Sequence, residues 1–242
     1  MQRKRANSDA TGGAILVDGP EFFEVGARRI AYRLREGGSP TLVFFPGYAS
    51  DMEGAKALAL DAFAEVEEQA FLRLDYSGTG SSAGRFEDGT LDRWLEEVVA
   101  AIDRLTDGPL VVIGSSMGGW LALHLAARRP DRVQALVGIA AAPDFTDWGA
   151  ERNADYLTSA FRESGQKMLL LGDDIAVDCP VRLIHGEADG DVPLDIAFRT
   201  KRALRSADVQ LQIIKGGGHR LSEPHEIAAI LATVTALLEQ AA

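Results

Sequence analysis

The hydrophobic pattern of the chain alternates between two periods. Short apolar runs at 41–45 (TLVFF), 71–74 (FLRL), 110–113 (LVVI), 133–137 (VQALV), 181–184 (VRLI) and 209–214 (VQLQII) have the length and β-branched or aromatic content of strands. Several are apolar on both faces, as strands covered by helices must be. Residues 22–25 and 29–34, on either side of a turn at Gly26, read as an antiparallel hairpin that opens the sheet. Between the runs, apolar residues recur at three- and four-residue spacing over 52–68, 90–105, 117–128, 195–204 and 225–238, which predicts helices. Thr90 stands where an N-cap is needed, and Pro224, after Ser222 and Glu223, suits a first helical turn. Strand–helix alternation predicts an α/β fold: a mostly parallel sheet of about eight strands with helices on both faces.

The alternation lapses once. Residues 143–178 carry Phe145, Trp148, Tyr156, Phe161 and Met168 but no strand signal, and connections of that length are usually functional or independently structured. The segment is expected to form a short helical cap, an insertion into a core made of 21–142 and 179–242. Residues 1–20 are expected to be an N-terminal tail: MQRKRANSDATGG is polar, and the apolar stretch 14–17 is far shorter than the roughly 7 to 15 residues of a secretory h-region.

Charge and cysteine content narrow the partners. The 25 Lys and Arg against 36 Asp and Glu leave a net charge of −11, a field that repels nucleic-acid phosphates and anionic lipid surfaces. The single cysteine, Cys179, excludes an intrachain disulfide, and no CxxC pair offers a thiolate zinc site. Both facts suit a reducing cytoplasm, the expected location. No apolar run approaches the roughly 18 residues of a membrane helix.

The chemistry concentrates at three strand ends. Gly114-Ser115-Ser116-Met117-Gly118 matches G-x-S-x-G between a strand and a helix, the context this nucleophile elbow requires, with Ser116 at its centre. The turn points the serine oxygen away from the sheet and sets the Met117 amide at a helix N-terminus, where a developing oxyanion is favoured. Such a serine needs a base, and in strand–elbow–helix folds the partners follow in the order Ser, Asp or Glu, His. His219, reached from the last strand through Gly216-Gly217-Gly218, has the position of the base; His124, His185 and His225 are the alternatives. The loop after 181–184 holds three acids, Glu187, Asp189 and Asp191. After TLVFF, the sequence Pro46-Gly47-Tyr48 offers the Tyr48 N–H as a second oxyanion donor. Gly78-Thr79-Gly80-Ser81-Ser82-Ala83-Gly84 lacks the third-glycine spacing of a dinucleotide loop and reads as a turn at the sheet's rim.

Together PGYASD, LDYSGTGSS, GSSMGG, HGEADGDVP and GGGHR resemble, in order and over 22–238, the α/β-hydrolase superfamily. FFPGYASDMEGAKALAL, RLDYSGTGSSAGRFEDGT and IGSSMGGWLALHLA are similar, more narrowly, to the palmitoyl-protein thioesterase and acyl-glucuronide esterase group of mitochondria and its bacterial relatives. The resemblance implies the α/β-hydrolase fold, Ser116 as nucleophile, His219 as base, and Tyr48 and Met117 as oxyanion donors. Through the H-G-x-x-D-x-x-V-P spacing it implies Asp189 as the acid, with Asp191 second. It implies no cofactor and no metal. One departure stands out: Pro46-Gly47 replaces the family's common His-Gly. The activity expected is hydrolysis of a carboxylic ester or thioester, on a small molecule or an S-acylated protein, through an acyl-enzyme on Ser116. The alternatives are a non-catalytic scaffold that binds an acyl ligand or protein, and a peptidase-like amide hydrolase. Phe145, Trp148, Tyr156 and Phe161, with Met168, either line an acyl pocket or pack the cap onto the core.

Overall fold

A computed structural model describes residues 19–151 and 155–241, so the tail expected over 1–20 lies outside the described residues except for its last two. Among the described residues eight strands form one sheet: β1 (Glu21–Val25), β2 (Arg28–Arg35), β3 (Gly38–Phe45), β4 (Gln69–Leu74), β5 (Leu110–Ser115), β6 (Val133–Ile139), β7 (Val181–Gly186) and β8 (Val209–Ile214). Their order is β1-β2-β4-β3-β5-β6-β7-β8. Among these strands the pairs β1–β2 and β2–β4 are antiparallel and the rest parallel, the first being the expected opening hairpin.

Among the described residues there are six α-helices, α1 (Ala55–Val66), α2 (Leu91–Leu105), α3 (Met117–Arg128), α4 (Ser159–Gln166), α5 (Leu194–Ala203) and α6 (Pro224–Ala241); all but α4, which lies in segment 143–178, follow the helical spacing of the sequence. Because side chains alternate across a strand, the sheet serves two cores. Val43, Phe45, Leu110 and Val112 face α2, α3 and α5 with the buried Trp94 and Trp120, while Leu42, Phe44, Val111 and Ile113 face α1 and α6. Strands buried on both faces are what the apolar runs foretold.

One local boundary is corrected, and one cap is found in place without its side-chain bond. Helix α1 starts at Ala55 rather than at 52, since the Met52 amide donates to the Asp75 carboxylate at 2.7 Å and Gly54 occupies the N-cap. Thr90 does sit at the N-cap of α2 in extended conformation, but its hydroxyl makes no capping bond and turns instead to the Asp92 carboxylate. Segment 143–178 holds a single α-helix among its described residues, α4, capped by the Thr158 hydroxyl, which accepts from the Phe161 amide at 3.1 Å. Its two ends are joined by the buried Asp144 carboxylate, which accepts from the Leu170 amide at 2.8 Å and the Leu171 amide at 2.7 Å.

The segment is moored to α3 at one carbonyl. Met168 accepts from Trp120 Nε1 at 3.1 Å and lies 2.9 Å from His124 Nε2. Burial pushes His124 down to about 4. The unfolded chain therefore takes up this proton first, and the stability held above the ordinary pKa of about 6.5 is lost as pH falls toward 4, on the order of 3 kcal/mol in all. Denaturant titrations at several pH values should show wild type weakening across this window and His124→Gln with a shallower slope; equal slopes contradict the assignment.

Candidate active site

The elbow is built by close backbone contact. Strand β5 ends at Ser115, α3 starts at Met117, and Ser116 between them is held at φ 54° and ψ −119°. A non-glycine residue persists there only when its surroundings over-determine it. The Ser116 amide donates to the Ile139 carbonyl at 2.9 Å, and its own carbonyl accepts from Gly119 and Ala142 at 2.9 and 3.0 Å. Two residues on, Gly118 passes so near β3 that a Cβ would lie 2.1 Å from the Phe45 carbonyl oxygen.

His219 and Asp189 reach the serine from the ends of β8 and β7. His219 Nε2 is 3.0 Å from Ser116 Oγ, and Nδ1 is 2.9 Å from Asp189 Oδ2. The other carboxylate oxygen, Oδ1, accepts from the Asp191 amide at 2.9 Å and the Val192 amide at 2.8 Å. The Asp189 side chain is 1% exposed and that of His219 22%. Burial tends to raise the Asp189 pKa, but the bonds from His219 and the two amides outweigh it and hold the carboxyl below its usual range. A charged carboxylate only accepts, so Nδ1 carries the proton and Nε2 presents its lone pair to the serine hydroxyl.

Loop 46–54 closes the other side. A Cβ on Gly47 would stand 3.3 Å from Ser116 Cβ, a contact tight enough that the loop or the serine would have to give by a few tenths of an ångström. Tyr48 follows, its ring wedged among Phe161, Phe86 and Tyr156 at centroid distances of 4.7, 4.9 and 5.0 Å. Met117 opens α3, and N–H groups of a first helical turn have no intrahelical acceptor.

Two cavities meet at the serine and share Tyr48, Ser116, Tyr156 and His219. One, of about 440 Å³, is walled by Ala142, Phe145, Trp148 and Val192, with Asp191 at its edge. The other, of about 490 Å³, mixes apolar residues with Ser50, Asp51, Lys56, Arg220 and Ser222.

Comparison with known proteins decides the family. A family profile described as the alpha/beta hydrolase fold matches residues 40–155. "Palmitoyl-protein thioesterase ABHD10, mitochondrial" of Homo sapiens is 36% identical over 235 residues, covering 87% of this chain and 77% of that protein. The chain belongs to the α/β-hydrolase family. The solved mouse alpha/beta hydrolase domain-containing protein 10 superposes with a TM-score of 0.87 at 32% identity, over 93% of this chain and all of that one. A crystal structure from Agrobacterium vitis S4 gives 0.83 at 34% identity, over 90% and 97%.

In this α/β hydrolase the sequence-derived residues separate into those at the serine and those away from it. Ser116, Asp189 and His219 are brought together, and Tyr48, Phe145, Trp148 and Tyr156 line the cavities. Phe161 does not: it is fully buried, packed edge-on behind Tyr48, because its helical position on α4 points to the core. Met168 likewise is absent from both linings and serves through its carbonyl. Asp191 supplies an amide to Asp189, and the oxygen facing His219 Nδ1 is Asp189's. His225 lies in the first turn of α6. One further residue escaped the sequence reading. Buried Asp75, after β4, accepts from the amides of Met52 and Ser81 at 2.7 Å each and so ties loop 46–54 to the glycine-rich loop that follows it. Its only sequence signal is an acid placed directly after an apolar strand.

Proposed function

We propose that this α/β hydrolase cleaves carboxylic esters and thioesters by acyl transfer to Ser116. The observation that carries the reading is the continuous line Ser116 Oγ, His219, Asp189, with gaps of 3.0 and 2.9 Å. His219 Nε2 takes the hydroxyl proton as Ser116 Oγ attacks the acyl carbonyl. The tetrahedral oxyanion is met by the amides of Tyr48 and Met117, and each such donor is typically worth about 2.7 to 4 kcal/mol. The imidazolium, held by Asp189, then protonates the departing alcohol or thiol. Water, activated by the same nitrogen, releases the acid and restores Ser116. Every proton passes through His219, and no metal or cofactor enters the scheme.

The two cavities give the substrate a direction. Segment 143–178 acts as the cap whose Phe145 and Trp148 receive the acyl chain, and the leaving group occupies the second cavity, beside Lys56 and Arg220. The thioesterase name of the mammalian relatives supports a thioester among the substrates, released from a small molecule or from an S-acylated protein. Those relatives are named mitochondrial; for this chain the reading keeps a reducing compartment such as the cytoplasm, which a single cysteine with no intrachain disulfide partner suits. Among the described residues no helix is long and apolar enough to cross a membrane.

A series of nitrophenyl esters of increasing acyl length tests the direction. The rate constant kcat/KM should rise with chain length, and Trp148→Ala should lose about 10- to 100-fold on long chains, the worth of one buried aromatic contact, with little change on acetyl. Acetyl esters as the best substrates, or equal losses on all chains, would remove the acyl role from this cavity.

A further inference from the structure

A second histidine stands directly behind the acid. His185, at the end of β7, is 1% exposed, and no step of the scheme above uses it. Its Nε2 lies 3.0 Å from the Val192 carbonyl oxygen and 3.6 Å from Asp189 Oδ2. Burial holds its pKa below the ordinary value, so the ring is neutral near pH 7, and a carbonyl can only accept; Nε2 therefore carries the proton. Val192 is thereby gripped at both ends of its backbone. Its N–H is bonded to Asp189 Oδ1 at 2.8 Å and its C=O to His185.

The far side of the same turn is fixed by main-chain bonds and by the Glu187 carboxylate, which accepts from the Gly216 amide at 3.1 Å. The Glu187 amide donates to the Ile214 carbonyl and the Ala188 amide to the Gly217 carbonyl, each at 2.9 Å, which stitches the Asp189 loop to the loop that carries His219. From Ala188 onward the turn leaves this seam, and the described contacts that hold its outer limb, Asp191 and Val192, include the two bonds to Asp189 itself and the bond to His185. Of these, His185 is the anchor that belongs to the rigid strand. Val192 also lines the cavity beside Ser116 that Phe145 and Trp148 wall.

We propose that His185 is a positioning residue: by holding the Val192 carbonyl it sets the turn in which Asp189 presents Oδ2 to His219, and it fixes one wall of the acyl cavity. The proposal rests on the Ser116–His219–Asp189 reading. Glutamine can place its amide N–H near the position of Nε2, whereas asparagine is one carbon too short, so His185→Gln and His185→Asn separate the hydrogen bond from polarity and packing. Misplacement of a catalytic group by about 1 Å can cost about 100-fold. His185→Asn is expected to lose about 10- to 100-fold in kcat with KM within about twofold of wild type, and His185→Gln to recover most of that loss. The proton shared by His219 Nδ1 and Asp189, seen as a far-downfield imidazole resonance in proton NMR, should broaden or vanish in His185→Asn and persist in His185→Gln. Two results would overturn the proposal: both variants matching wild type in kcat and in this resonance, or both falling equally while losing equal melting temperature. The resonance is read without substrate, so the role of His185 stands or falls separately from whether turnover depends on Ser116.

Discussion

Ser116→Ala should retain the fold and lose turnover by a factor on the order of 10⁴ to 10⁶, since removing the nucleophile of a triad costs about as much as removing the triad. The fold is expected to survive because alanine keeps the same Cβ at φ 54°, so the backbone strain of the elbow is neither added nor relieved. The bonds that fix the elbow, from the Ser116 amide to Ile139 and to the Ser116 carbonyl from Gly119 and Ala142, are all main-chain and remain. What disappears is the hydroxyl 3.0 Å from His219 Nε2. Hydrolysis of an activated ester, measured with melting temperature on the same samples, checks both halves. A variant that melts like wild type and still turns over at a tenth of its rate or better would leave the protein as an acyl-binding scaffold with incidental esterase activity.

Asp189→Asn is the next largest effect expected, a fall in kcat of about 10⁴, and the reason is a conflict of donors. In wild type one oxygen of Asp189 accepts from His219 Nδ1 and the other from the amides of Asp191 and Val192. Every one of these partners donates. An asparagine has one accepting oxygen and one NH₂, so it must turn the NH₂ either toward two backbone N–H groups or toward Nδ1. The first choice breaks the turn; the second forces the proton onto Nε2 and leaves Ser116 with no base. Because the wild-type carboxyl is held below its usual pKa, the stability it contributes is present at neutral pH and is lost as pH falls through its folded-state value; the variant should lack this acid-dependent component. Rates from pH 5 to 9 with a parallel stability titration distinguish the outcomes. A loss smaller than about tenfold would move the orienting role to another acid.

The sequence made the frame legible because the frame obeys periods. Double-faced apolar runs mark the strands of a covered sheet, three- and four-residue spacing marks the helices, and the elbow announces itself through Gly114 and Gly118, which pack where no side chain fits. The seats of Ser116 and His219 follow from chain order at strand ends. The acid was less legible, since Glu187, Asp189 and Asp191 share one loop and differ only in how that loop folds back on Val192. Asp75, Asp144 and His185 were invisible as supports because each holds a backbone group distant in sequence, as with Asp144 and the amides of Leu170 and Leu171, and backbone groups leave no trace in residue identity. Phe161 misled for the opposite reason: an aromatic residue in an aromatic-rich insertion reads equally as lining and as packing until the face of its helix is known.

The central claim is that Ser116 is a nucleophile activated by His219. A fluorophosphonate ester forms a stable phosphonylated adduct only with such a serine, so peptide mapping by mass spectrometry after labelling reads the claim directly. Wild type should carry one adduct per chain, on the peptide that contains Ser116, and His219→Ala should label far more slowly. An active enzyme that takes no label, or takes it on another residue, would contradict the account.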